Sequence, residues 1–135
     1  MISDGIEVIV TGDIAEVNGA PNYLDERSKN LDIEIIKPLW QQERESLLQE
    51  YISTGLEVYI TCVHQDFFDD SWLGVKLNAV TISVLKQHHK ENGLDICGEN
   101  GEYHTFTSNA PFFANTVKFP VFTSKRNGVM RYCSL

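Results

Sequence analysis

The sequence predicts a mixed protein, a short α/β opening followed by an α+β body. Three observations predict it. A β-branched run, Ile6-Glu7-Val8-Ile9-Val10-Thr11, is followed by a helical stretch and a second short strand at Ile33–Ile36, the pattern of an α/β unit. Two runs of helical spacing then flank a segment of alternating polarity. The last third of the chain is strand-like and carries Asn127-Gly128, a hairpin-turn signal.

Each element has its own warrant. Ile6 to Thr11 ends at Gly12-Asp13 and reads as a buried strand with its loop at the C-terminal end. Pro21 to Ser28 holds a short helix with proline near its start. Leu39 to Ser53 reads as the clearest helix, with Trp40, Leu47, Leu48, Tyr51 and Ile52 on one face and Gly55 as its stop. Leu56 to Val63 alternates, with Leu56, Val58, Ile60 and Cys62 on one side. Asp66 to Gly74 is a loop rich in aromatics and acids. Leu77 to Glu91 is a second helix, with Val80, Val84, Leu85 and His88 turned inward, and Asn92-Gly93 ends it. Phe106 to Phe113, Thr116 to Thr123 and Val129 to Leu135 complete the strands. Phe67, Phe68, Trp72, Phe112 and Phe113 read as core, and Cys62 as a small core residue.

The bulk numbers exclude several classes. The chain has 135 residues and a formal net charge of -8. That balance argues against a nucleic-acid backbone as partner, because lysine and arginine must supply such affinity. No apolar run is long enough to span a membrane, and the N-terminus has no secretory pattern. Cys62, Cys97 and Cys133 are odd in number and far apart, which points to a reduced, cytoplasmic setting. The Gly-x-x-x-x-Gly-Lys-Ser/Thr, Gly-x-Gly-x-x-Gly, His-Glu-x-x-His and Gly-x-Ser-x-Gly motifs are absent.

One segment is not built for packing. Gly98-Glu99-Asn100-Gly101-Glu102-Tyr103-His104-Thr105, entered through Cys97, combines two glycines with two carboxylates, an amide, a phenol, an imidazole and a hydroxyl. Three readings stand open on the residues alone: a binding or catalytic loop, a pair of glycine turns with solvated acids, or a metal site using Cys97, Glu99, Glu102 and His104. Gly12-Asp13, at a strand end, lies where α/β sheets place ligands, and Asp13 equally suits a turn cap. His64, His88 and His89 read as packing or surface residues.

Gly12-Asp13-Ile14, Pro38-Leu39-Trp40, Leu73-Gly74, the octapeptide with Cys97, and Ala110-Pro111-Phe112-Phe113 together resemble, in order and spacing, the diphthine–ammonia ligase (diphthamide synthetase) family of the ATP pyrophosphatase, or PP-loop, superfamily. The resemblance implies an adenine nucleotide alpha hydrolase-like α/β nucleotide-binding domain followed by an α+β substrate domain. It implies ATP, with magnesium, activating a carboxylate that ammonium then converts to an amide. The implied carboxylate is diphthine on elongation factor 2, or another carboxylate substrate. Carried onto this chain, it makes His104 and Glu102 the catalytic candidates. Gly98, Glu99, Asn100, Gly101, Glu102, Tyr103 and Thr105 become substrate-binding, and Gly12 and Asp13 nucleotide-binding, with no metal ligands.

The Ser-Gly-Gly-Lys-Asp-Ser loop that opens such ligases is missing. The expectation is therefore a C-terminal portion: residues 1–37 as the end of the nucleotide-binding domain, residues 38–135 as the substrate domain. Alone it is expected to be inactive, with another polypeptide supplying the missing half. The alternative expectation is a substrate-binding module, or a ligase fragment, with no activity of its own.

Overall fold

The computed structural model describes residues 5–17 and 19–134; Leu135, the end of the expected last strand, lies outside them. The chain divides into two compact units, one ending at Glu43 and the other beginning at Arg44. The first unit holds β1 (Val8–Val10), α1 (Tyr23–Ser28) and β2 (Glu34–Ile36). β1 and β2 pair in parallel, with Ile9 opposite Ile35. Asn22 caps α1, its side chain accepting from the backbone N–H groups of Leu24 and Asp25.

Two expectations for this unit need correcting. The opening strand is not buried: Val8 is 43% and Val10 65% exposed. Among the described residues the sheet has only two strands, so it lacks the cover that parallel strands normally receive on both faces. The second helix does not begin at Leu39 either. Trp40 N–H donates to Lys37 O and Gln42 N–H to Leu39 O, while Gln41 takes a left-handed φ of 60°. That turn separates Trp40 from the helical face, and Trp40 sits instead under the Lys37 ammonium at 4.2 Å.

The second unit holds α2 (Arg44–Ser53), β3 (Glu57–His64), a 3-10 turn (Asp70–Trp72), α3 (Ala79–Asn92), β4 (Tyr103–Asn109), β5 (Thr123–Asn127) and β6 (Met130–Ser134). Its sheet is antiparallel with the order β4-β3-β6-β5. With the parallel pair before it, this makes a mixed protein whose larger part fits the α+β class. The β5–β6 hairpin turns through Gly128 and Val129. Gly128, at φ 59°, takes the first loop position, where a primed turn needs positive φ. The strand expected over Thr116–Thr123 is irregular, and the pairing begins only at Thr123.

The core lies between the helices and one face of this sheet: Leu48, Ile60, Val63, Phe68, Ile82, Leu85, Leu94 and Tyr103 form one cluster. Three inward assignments shift. On β3 the pairing jumps from Ile60–Thr105 to Cys62–His104, a bulge that inserts Thr61. Beyond it Val63, fully buried, takes the inward place expected of Cys62. On α3 the buried positions are Thr81, Ile82 and Leu85, whereas Val80 is 74% exposed. Asn78 caps α3 through Val80 and Thr81 N–H, and the Thr81 hydroxyl donates to Lys76 O at 2.8 Å, which fixes the rotation of the first turn. Phe112, expected in the core, is 82% exposed.

Candidate functional site

The polar octapeptide is half loop and half strand. α3 stops at Gly93, left-handed at φ 76°. A loop over residues 94–102 follows, and Tyr103, His104 and Thr105 already belong to β4. Strand alternation then sends Tyr103 inward and His104 outward.

Glu102 organises the loop. Its side chain is buried, and its two oxygens accept from different backbone donors: Oε1 from Asp95 N–H at 3.0 Å and Oε2 from Asn100 N–H at 3.0 Å. Asp95, also buried, repeats the pattern. Its Oδ1 accepts from Cys97 N–H at 2.9 Å and its Oδ2 from Arg44 Nε at 2.7 Å. The two carboxylates thus satisfy three loop amides that no secondary structure would satisfy. Arg44, the first residue of α2, closes the network. Its cation is unfavourable at a helix N-terminus by itself, and its hydrogen bond to Asp95 raises its pKa further above the usual range.

Tyr103 anchors the loop from the strand side. Its hydroxyl donates to Ile96 O at 2.6 Å, and its ring meets Phe68 edge-on at 6.1 Å. Burial, with the Cys97, Asp95, Glu102 and Glu99 acids nearby, pushes the phenol well above its ordinary range. A raised folded-state pKa means stability that is complete below about pH 10 and is lost as pH climbs further, because the unfolded tyrosine ionises first. Tyr103→Phe should therefore cost about 1 kcal/mol at neutral pH, through the lost bond to Ile96. It should also flatten the loss of stability above about pH 10. Urea unfolding at neutral pH and again above the ordinary tyrosine pKa measures both effects.

The other sequence-derived candidates are distributed as follows. Glu99 is half-buried and Asn100 exposed at the loop's outer turn. Gly98 and Gly101 both have positive φ, 75° and 88°. His104 is exposed on β4, opposite Cys62, and its ring makes no hydrogen bond among the described residues. Thr105 pairs with Ile60 and lines a pocket of about 540 Å³ with Phe106 and Phe119. Asp13 accepts from Asn22 Nδ2 at 2.7 Å and so supports the cap of α1, while the space beside Gly12 is open. Trp72 packs on Phe68 at 4.7 Å and meets His88 edge-on. Cys97, Glu99, Glu102 and His104 are not gathered: among the described residues no group of three or more His, Cys, Asp or Glu is placed to hold a metal ion. No described helix is long and apolar enough to cross a membrane.

Arg44 and Asp95 are site residues that the sequence pattern does not single out. Arg44 left one signal, as the sole lysine or arginine between Lys37 and Lys76. On α2, burial first, then the charges of Cys97 and Glu99, raise the phenol pKa of Tyr51.

The family model for the diphthamide synthase C-terminal domain matches residues 43–134. The chain is 37% identical over 90 residues to the diphthine–ammonia ligase of Bos taurus, covering 66% of this chain and 33% of that protein. It is 36% identical over 90 residues to the human protein of the same name, with the same coverage. The Schizosaccharomyces pombe ligase is 29% identical over 89 residues, covering 66% of this chain and 14% of its own length. The chain thus spans about a third of the length of the vertebrate relatives it matches.

Proposed function

We propose, from the premise that the chain belongs to the diphthamide synthase family through residues 43–134, that these residues form the substrate-binding part of an ATP-dependent ligase. The ligase would amidate diphthine on elongation factor 2 with ammonium. In the same reading residues 1–37 are the end of the nucleotide-binding domain, and the protein works in the cytoplasm.

The observation that carries this reading is the loop held by Glu102 and Asp95. Its shape is set before any ligand arrives, which lowers the entropic cost of binding. Glu102 then acts as a positioning residue rather than a reacting one, since its oxygens are engaged by backbone donors. Glu99 and Asn100, on the outer turn, would meet the substrate, with the backbone of Gly98 and Gly101 allowing close approach. A carboxylate offers the trimethylammonium of diphthine a counter-charge. His104 has an exposed ring without a partner among the described residues, as suits a group that accepts a proton from incoming ammonium.

ATP with magnesium would supply activation of the carboxylate. The described residues do not fit a whole triphosphate site. Gly12 leaves open space at the end of β1, but Asp13 is engaged by Asn22, so no step is assigned to either residue beyond contact with a nucleotide edge.

The reading is tested by titrating the chain with elongation factor 2 bearing diphthine and with the unmodified factor. Selective binding of the diphthine form, weakened about tenfold or more by Glu99→Gln with Asn100→Ala, is expected. Equal affinity for the two forms would overturn it.

A further inference from the structure

Charge is segregated along this chain. All 19 Asp and Glu residues lie within residues 1–102, while residues 103–135 carry Lys118, Lys125, Arg126 and Arg131 and no acidic side chain. The fold places Lys125 of that segment on one sheet face, while Arg126 and Arg131 fall on the other by register and Arg131 pairs with Asp70. Pairing runs His104–Cys62–Tyr132–Lys125 across β4, β3, β6 and β5, so these four side chains share a face. Phe106, two residues after His104, lies on it too. The opposite face carries Val63 and Tyr103 and packs into the core.

The outer face is crossed by the segment between β4 and β5. Phe119 stacks on Tyr59 at 4.7 Å with 14° between the rings and lies 6.0 Å from Phe106; Val117 N–H donates to Ser108 O at 2.8 Å. These interactions pin the segment and leave beside it the pocket of about 540 Å³, with Phe106, Val117, Lys118, Phe119 and Pro120 in its walls. Around it the surface stays apolar: Val117 is 50% and Val121 98% exposed. Lys118 and Lys125 are exposed and have no ion-pair partner among the described residues. Every residue of β5, an edge strand, is exposed.

We propose that this face is a docking surface for an acidic polypeptide segment with an apolar anchor residue. The anchor fills the pocket beside Phe119, and flanking carboxylates meet Lys118 and Lys125. Lysine on an edge strand also guards against stray strand pairing, but Lys118 lies on the connector, where that explanation does not reach. A nucleic acid fits less well. Its phosphate backbone needs a longer cationic track than two lysines supply. The inference goes beyond the ligase reading: none of Glu99, Asn100 and Glu102 takes part, and the surface would bind its partner even in a chain with no role in amide formation.

The experiment uses the 135-residue chain, isotope-labelled for NMR, and short synthetic peptides that alternate leucine with glutamate or with lysine. The glutamate peptide should shift the amides of residues 104–106, 117–121 and 123–127, with affinity falling as salt rises. The lysine peptide should bind at least tenfold more weakly. Lys118→Glu with Lys125→Glu, its spectrum otherwise native, should lose tenfold or more for the glutamate peptide. An unfolded double variant leaves the two-peptide comparison on the unmodified chain to decide. Equal binding of both peptides, shifts confined to other surfaces, or tighter binding of a single-stranded oligouridylate would overturn the proposal.

Discussion

Glu102→Gln should unfold the loop before it touches any chemistry. The substituted amide keeps one acceptor but turns an NH₂ group toward a backbone N–H, either that of Asp95 or that of Asn100. One donor loses its partner, and the remaining bond loses its charge assistance. The expected cost is about 2–3 kcal/mol, since an unsatisfied buried donor alone costs about 1–3 kcal/mol. Urea unfolding gives the total, and hydrogen exchange locates it: the amides of Asp95 and Asn100 should lose protection while those of β6 keep theirs. An unchanged midpoint would return Glu102 to the reacting groups. The distinction matters because a loss of ligase activity in this variant would otherwise be read as lost catalysis.

That role was hidden in the sequence for a physical reason. A carboxylate between glycines, an amide and an imidazole looks the same whether it faces a substrate or backbone amides. The partners of Glu102 are main-chain groups, which leave no mark in residue type. The same limit explains Asp95, which reads as an ordinary loop acid until Arg44, 51 residues earlier, is brought to it. What the sequence does show are features with local causes. Asn92-Gly93 ends α3 because glycine alone takes the left-handed cap easily. The pairing of β5 with β6 follows from Asn127-Gly128, displaced by one residue. Alternation along β3 is right up to Ile60 and fails beyond it, because the bulge at Thr61 adds a residue without altering the apolar pattern. The inward face of α3 fails for a similar reason. Val80 and Val84 are spaced as well as Thr81, Ile82 and Leu85 for a helical stripe, and the Asn78 cap with the Thr81 bond to Lys76 selects the second set.

The loop's two glycines should respond unequally to the same substitution, and the difference locates where the loop is tight. A Cβ at Gly98 would lie 3.0 Å from Tyr103 O and 3.1 Å from two atoms of its ring. Neither neighbour yields readily: the ring is held by its bond to Ile96 and its packing against Phe68, and the carbonyl belongs to a strand. Gly98→Ala therefore combines a left-handed backbone, about 1–2 kcal/mol for an L-residue, with overpacking of about 1–3 kcal/mol. A total of about 3 kcal/mol is expected. Gly101 has a similar φ but open space where its Cβ would stand, so Gly101→Ala should cost only about 1 kcal/mol. Urea midpoints for the two variants test the difference, and the near-ultraviolet signal of Tyr103 should change only in the first. Equal losses would mean that backbone strain alone sets the cost and that the ring of Tyr103 is free to move. The loop would then not be pre-shaped, and the case for Glu99 and Asn100 as a rigid pair of substrate contacts would fall with it.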